Sequence, residues 1–135
     1  MITEPALSHV RVHDVMHTGL LLTDAGTSLR VVANLMAEQH VHAVAVSDPH
    51  YARRPIGLVT ALDIAVAITE GEGGAQTAGE AASTDFLTIP ATDSLTDAAY
   101  LMATNKLNHL IVIDPATGHP SGILSSLDLA SAYAA

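Results

Sequence analysis

The 135 residues include no cysteine and no tryptophan, with one phenylalanine and three tyrosines. Without cysteine there is no disulfide framework, no thiolate nucleophile and no cysteine-ligated zinc. With so few aromatics, a core has to be aliphatic. Basic side chains are scarce too: five Lys and Arg stand against fourteen Asp and Glu, a formal charge of −9. Nucleic acid and anionic membrane both need a cationic patch, so neither is expected as a partner. No apolar run approaches the length of a membrane span, and Met1-Ile2-Thr3-Glu4-Pro5 lacks the basic and apolar regions of a signal peptide. A soluble, cytoplasmic protein is expected. There is no Gly-x-Ser-x-Gly and no Walker loop, hence no constellation that announces an enzyme.

What the chain does have is aliphatic residues, with 49% apolar and only 14% charged, a balance that excludes disorder. It also repeats itself. Gly57-Leu58-Val59-Thr60-Ala61-Leu62-Asp63 returns as Gly122-Ile123-Leu124-Ser125-Ser126-Leu127-Asp128. Upstream, residues 21–49 lie over 87–115, with identities at Leu21/Leu87, Ala25/Ala91, Ser28/Ser94, Leu29/Leu95, Ala33/Ala99, Leu35/Leu101, Met36/Met102, Ala37/Ala103, Val46/Val112, Asp48/Asp114 and Pro49/Pro115. Unrelated segments of this composition agree at roughly one position in ten, so the chain is two copies of one unit. Units of about 60 residues are marginal alone, and a shared core is expected.

Periodicity gives each unit the order β-α-β-β-α. Val10 to Met16 reads as a short lead helix and Leu20-Leu21-Leu22-Thr23 as a brief strand. Thr27 is a good N-cap for a helix that buries Leu29, Val32, Ala33 and Met36 and ends near His40. Val41 to Ser47 and Ile56 to Val59 make a hairpin, followed by a helix from Leu62 to Ile68. The second copy has strand 86–89, helix 94–105, strands 107–113 and 121–124, and helix 126–134. Units at 10–70 and 78–135, joined by a Gly-rich linker at 71–77, are therefore expected within an α/β (α+β) fold.

These residues resemble the CBS (cystathionine β-synthase) domain, which occurs in tandem pairs called Bateman modules. The resemblance is carried by Val15-Met16, Thr27-Ser28-Leu29, Ala33, Met36, Val46, Asp48 and Gly57 to Asp63, and in the second unit by Ser94-Leu95, Ala99, Met102, Val112, Asp114 and Gly122 to Asp128. It covers about residues 12–134, with no fused catalytic domain expected. It implies two units about a pseudo-twofold axis through their sheets, and clefts for adenosine-bearing ligands (AMP, ADP, ATP or S-adenosylmethionine). It further implies that Thr60 and Asp63 face Ser83, Leu87 and Thr88, while Ser125 and Asp128 face His17, Leu21 and Leu22. His42 and His109 stand where relatives meet phosphate. No cofactor is required under this reading. A triphosphate would bring Mg²⁺ or borrow Arg53, Arg54 or Lys106 of a partner chain. The module would be non-enzymatic, would pair as a homodimer through Leu62 to Ala67 and Leu127 to Ala135, and would signal to an unidentified effector protein. A ligand-free dimerisation scaffold is the alternative.

The residue chemistry suits such a ligand. A carboxylate accepts hydrogen bonds from both hydroxyls of a ribose. Thr60, Ser125 and the amides of a helix start suit phosphate. Gly57 and Gly122, without a Cβ, would let the ligand come close to backbone. Thr60-x-x-Asp63 and Ser125-x-x-Asp128 are equally capping boxes in form, in which the acid serves the helix itself. His13 and His17 have the i, i+4 spacing of a helical zinc pair, but no third ligand follows at a suitable spacing. No metal site is assigned, and a metal-binding protein is the remote alternative.

Overall fold

A computed structural model describes residues 7–18, 21–51 and 54–135. The described residues up to 18, with Phe86–Ala135, form one compact body, and Leu21–Asp85 form another. The first holds a four-stranded sheet and the second a three-stranded one. The copies in the sequence therefore differ from the bodies in space by an exchange of their leading segments.

In the three-stranded body, β2 (Leu22–Asp24), α2 (Leu29–Gln39), β3 (Ala43–Ser47), β4 (Pro55–Thr60) and α3 (Ala61–Glu70) follow in order. β2 lies parallel to β3, because α2 carries the chain back across the sheet between them. β4 returns antiparallel to β3 through the Asp48-Pro49 turn. The cap of α2 is Ser28, whose Oγ accepts the Val31 N–H at 3.2 Å. Thr27, expected in that role, instead gives its carbonyl to the Ala78 N–H at 2.8 Å. Leu29, Val32 and Met36 are buried as their spacing predicts, with Val44, Val46, Val59 and Ala78 around them.

The four-stranded body repeats the plan with β5 (Thr88–Pro90), α5 (Leu95–Asn105), β6 (His109–Ile113), β7 (Pro120–Ser125) and α6 (Ser126–Ala134). Ser94 Oγ caps α5 by accepting the Asp97 N–H at 3.1 Å. The core is Ile89, Leu95, Ala98, Met102, Leu110, Val112 and Leu124, closed by Val12 from the start of the chain. Both long helices end on a non-glycine residue in the left-handed region, His40 and Lys106, each at φ 55°.

The exchange is written in matching hydrogen bonds. The short helix α1 (Val12–Val15) docks through Val12 N–H to the Asp93 carbonyl (2.8 Å) and His13 N–H to the Ala91 carbonyl (3.0 Å). Its counterpart α4 (Ala78–Ala81) docks through Ala78 N–H to Thr27 and Gly79 N–H to Ala25, both 2.8 Å. Val12 and Ala78 are each fully buried. Past these helices, β1 (His17–Thr18) pairs antiparallel with β7, and Ser83 forms an isolated antiparallel bridge with Leu58 of β4. α4, capped by Thr77 and Glu80, and the 3-10 turn Gly71–Gly73 were not foreseen.

Candidate functional site

Each acid sits where a strand hands over to a helix. Thr60 and Ser125 are the last residues of β4 and β7 and, still extended (φ −109° and −110°), are the N-caps of α3 and α6. Asp63 Oδ2 accepts the Thr60 N–H at 2.7 Å and the Thr60 hydroxyl at 3.1 Å. Asp128 Oδ2 accepts the Ser125 N–H at 2.8 Å, and here the hydroxyl works in reverse, Ser125 Oγ accepting the Asp128 N–H at 3.2 Å. The capping role is thus real at both positions. It occupies one oxygen of each carboxylate and leaves the other available for a second partner.

The second oxygens differ. Asp128 Oδ1 lies 3.3 Å from His17 Nε2, with the Asp128 side chain 13% exposed and that of His17 60%. Asp63 Oδ1 has no hydrogen bond among the described residues. His17 reaches Asp128 because β1 places it opposite Ile123 in the register of β7. Ser83 stands opposite Leu58 in the same way, but its hydroxyl is short and instead accepts the Asp85 N–H at 3.3 Å.

Two expectations are corrected. A Cβ on Gly122 would lie 2.5 Å from the His17 carbonyl and 2.8 Å from Met16 Sδ, and one on Gly57 2.8 Å from Ala82 Cβ and 3.2 Å from the Ser83 carbonyl. The space that glycine opens is filled by the leading segment of the chain, so these glycines seat backbone rather than a ligand. Nor are the helix-start amides all open to phosphate. The first of each helix is already committed, Ala61 N–H to the His42 carbonyl (2.9 Å) and Ser126 N–H to the Asn108 carbonyl (2.8 Å). Sequence reasoning missed these carbonyls, since main-chain acceptors carry no residue-type signature.

The remaining expected residues divide between the bodies. Leu21, Leu22 and His42 belong with Thr60, Asp63 and Ser83, and Leu87, Thr88 and His109 with Ser125, Asp128 and His17. Leu21 and Leu87 are half-buried against the cores of their own bodies. His42 and Thr88 are exposed, and Leu22 is half-buried. His109 is half-buried opposite Ser125 in the β6–β7 register. Leu20, at the start of the predicted first strand, lies outside the described residues, as does Arg53 among the cations considered for phosphate. Arg54 stacks over Tyr51 at 6.0 Å, and Lys106 ends α5.

The zinc-pair spacing does not survive folding. α1 stops at Val15 and Met16 is extended (ψ 158°), so His13 and His17 are not on one helical face. His13 Nδ1 lies 3.2 Å from Asp14. Among the described residues no group of three or more His, Asp or Glu is arranged to hold a metal ion.

Comparison with known proteins identifies the family and the fold. The model of the CBS domain matches residues 12–70 and again 78–135. The chain belongs to the CBS domain family. It is 29% identical over 120 residues to the CBS domain-containing protein YhcV of Bacillus subtilis (strain 168), covering 88% of this chain and 82% of that one. Its fold matches the CBS domain pair of protein MJ0100, solved with 5-methylthioadenosine and S-adenosylmethionine, at TM-score 0.81 and 18% identity, over 93% of this chain and 96% of the other. It likewise matches the CBS domain protein PAE2072 of Pyrobaculum aerophilum, solved with AMP, at TM-score 0.77 and 24% identity, over 89% and 90%. At these identities the solved structures establish the fold, a tandem CBS pair. No helix of the described residues is long and apolar enough to cross a membrane.

Proposed function

We propose that this CBS pair is a regulatory module that binds an adenosine-bearing small molecule through Asp63 and Asp128 and passes its occupancy to another protein. The observation that carries the reading is that each acid is fixed at a helix start through one oxygen, Oδ2, while the other takes no part in that cap. A carboxylate so held accepts the two hydroxyls of a ribose without having to be ordered first, which keeps the entropic cost of binding low.

The nucleoside is the part of the ligand that this chain is best equipped to recognise. 5-Methylthioadenosine, S-adenosylmethionine and AMP, held by proteins of the same fold, differ in charge and in phosphate but share adenosine. Here the first amide of each helix is engaged, and only five basic residues face fourteen acids, so a polyphosphate would have to bring Mg²⁺. Binding transmits a signal because a ligand that prefers one arrangement of the module shifts its population. The exposed Leu62, Val66, Ile68, Leu127 and Tyr133 on α3 and α6 support pairing of two copies through these helices. They equally favour the second reading, a dimerisation scaffold that needs no ligand.

Thermal unfolding with AMP, ADP, ATP, S-adenosylmethionine and 5-methylthioadenosine separates the two. At a hundredfold excess over Kd, one bound compound adds about 2.7 kcal/mol to the folded state. At least one of the five raises the melting temperature, and Asp63→Ala with Asp128→Ala together abolishes the rise. A shift that survives both substitutions refutes the ribose assignment, and silence across the panel leaves the scaffold.

A further inference from the structure

The repeat makes the two acid sites look equivalent, and their surroundings make them unequal. We infer that His17 sets their rank. With its Nε2 standing 3.3 Å from Oδ1 of Asp128, it makes the Asp128 site the weaker of the two for a cis-diol and leaves Asp63 as the principal one. This rests on the reading of the two acids as ribose anchors and adds which of them is filled first.

The argument is one of competition for an oxygen. A ribose diol at Asp128 has both hydroxyls to place. Oδ2 is already bonded to the Ser125 N–H, and Oδ1 faces Nε2 of His17 at 3.3 Å. Binding with full use of the carboxylate has to separate that pair. At Asp63 nothing among the described residues has to leave Oδ1. The residue that takes the place of His17 there is Ser83, whose side chain is turned to the Asp85 N–H. His17 is not displaced at will, since its backbone is paired in β1 with Ile123 and lies against Gly122. Only its ring, 60% exposed, is free to swing into solvent. The penalty is correspondingly modest. Pairs between exposed groups contribute a fraction of a kcal/mol to about one, which corresponds to roughly a two- to fivefold difference in affinity.

The test uses the whole chain, with 5-methylthioadenosine as the probe that carries no phosphate, and AMP alongside it. Asp63→Asn and Asp128→Asn each retain an oxygen for the helix cap and report one site at a time by calorimetry. Asp63→Asn, which leaves the Asp128 site, is expected to bind the probe more weakly than Asp128→Asn. Adding His17→Ser, which copies the counterpart Ser83, tightens the Asp63→Asn protein by about two- to fivefold and leaves the Asp128→Asn protein unchanged. If His17→Ser leaves the affinity at Asp128 unchanged, or weakens it as loss of a ligand contact would, the ranking by His17 is overturned while the ribose reading stands. If neither probe binds the unsubstituted chain or the His17→Ser variant, the ribose reading falls and the inference falls with it.

Discussion

Substituting Gly122 by alanine tests whether the start of the chain is seated on the second repeat, on which the His17–Asp128 pair depends. The added Cβ would lie 2.5 Å from the His17 carbonyl oxygen and 2.8 Å from Met16 Sδ, about an ångström inside ordinary carbon contact distances. Met16 can swing its thioether aside. The carbonyl cannot, because His17 and Thr18 are paired in register with Ile123 and Gly122. Relief therefore requires β1 to lift from β7, an overpacking cost of about 1–3 kcal/mol. For a chain of this length each kcal/mol lowers the melting temperature by about 3–5 °C, so a fall of about 3–15 °C is expected by circular dichroism. Gly26→Ala is the control. Its Cβ meets nothing within 4 Å and its φ lies outside the left-handed region, so it is expected to be neutral or to stabilise by about 0.4–1 kcal/mol through the unfolded chain. Faster exchange of the Thr18 amide in the Gly122 variant would locate the damage in β1. A Gly122→Ala protein that melts with the Gly26→Ala control would refute the docking of the leading segment and remove the basis for the His17 argument.

Two further outcomes concern the helix ends. His40→Gly and Lys106→Gly, at φ 55°, each relieve left-handed strain and are expected to raise stability by up to about 1 kcal/mol, measured by urea unfolding; a loss at either position would show that its side chain holds the helix end by contacts worth more than the strain. Glu80 has its pKa lowered, first by the Gln76 N–H and then by the Thr77 hydroxyl and N–H that it accepts. A depressed carboxyl stabilises the fold above its unfolded pKa and loses that contribution as pH falls through the folded value. Glu80→Gln is thus expected to melt below the natural chain at neutral pH, with the gap closing on acidification below the usual carboxylate range; a gap that is constant with pH would refute the charged cap.

Much was legible because the repeat supplied each unit with a second reading. Leu29/Leu95 and Met36/Met102 recur in α2 and α5 and are buried in both, since helical spacing alone puts them on one face. The helix 126–134 and the ends of α2 and α5 followed from the same pattern. Boundaries slipped where two residues competed for one role. Thr27 and Ser28 both suit an N-cap, and only the docking of Ala78 on the Thr27 carbonyl decided for Ser28. The matching of the two leading segments was also present in the sequence, in the acidic pair Asp14/Glu80 and the identity Thr18/Thr84 at the spacing of the rest of the repeat, but one identity and one conservative pair are weak by themselves.

What the sequence by itself determined is the repeat, the two acids beside their hydroxyls and the aliphatic faces, all of which follow from local spacing along the chain. What only the tertiary structure decided is which partner each group meets. The space left by Gly57 and Gly122 receives the leading segments, because strands far apart in sequence pair edge to edge there. The oxygen of Asp128 that its helix does not use faces His17 while that of Asp63 does not, because a histidine and a serine hold matching places in the two bodies and only the longer side chain spans the gap. Such contacts join segments from 25 residues apart, as at Gly57 and Ala82, to 111 apart, as at His17 and Asp128, and no spacing within either copy encodes them.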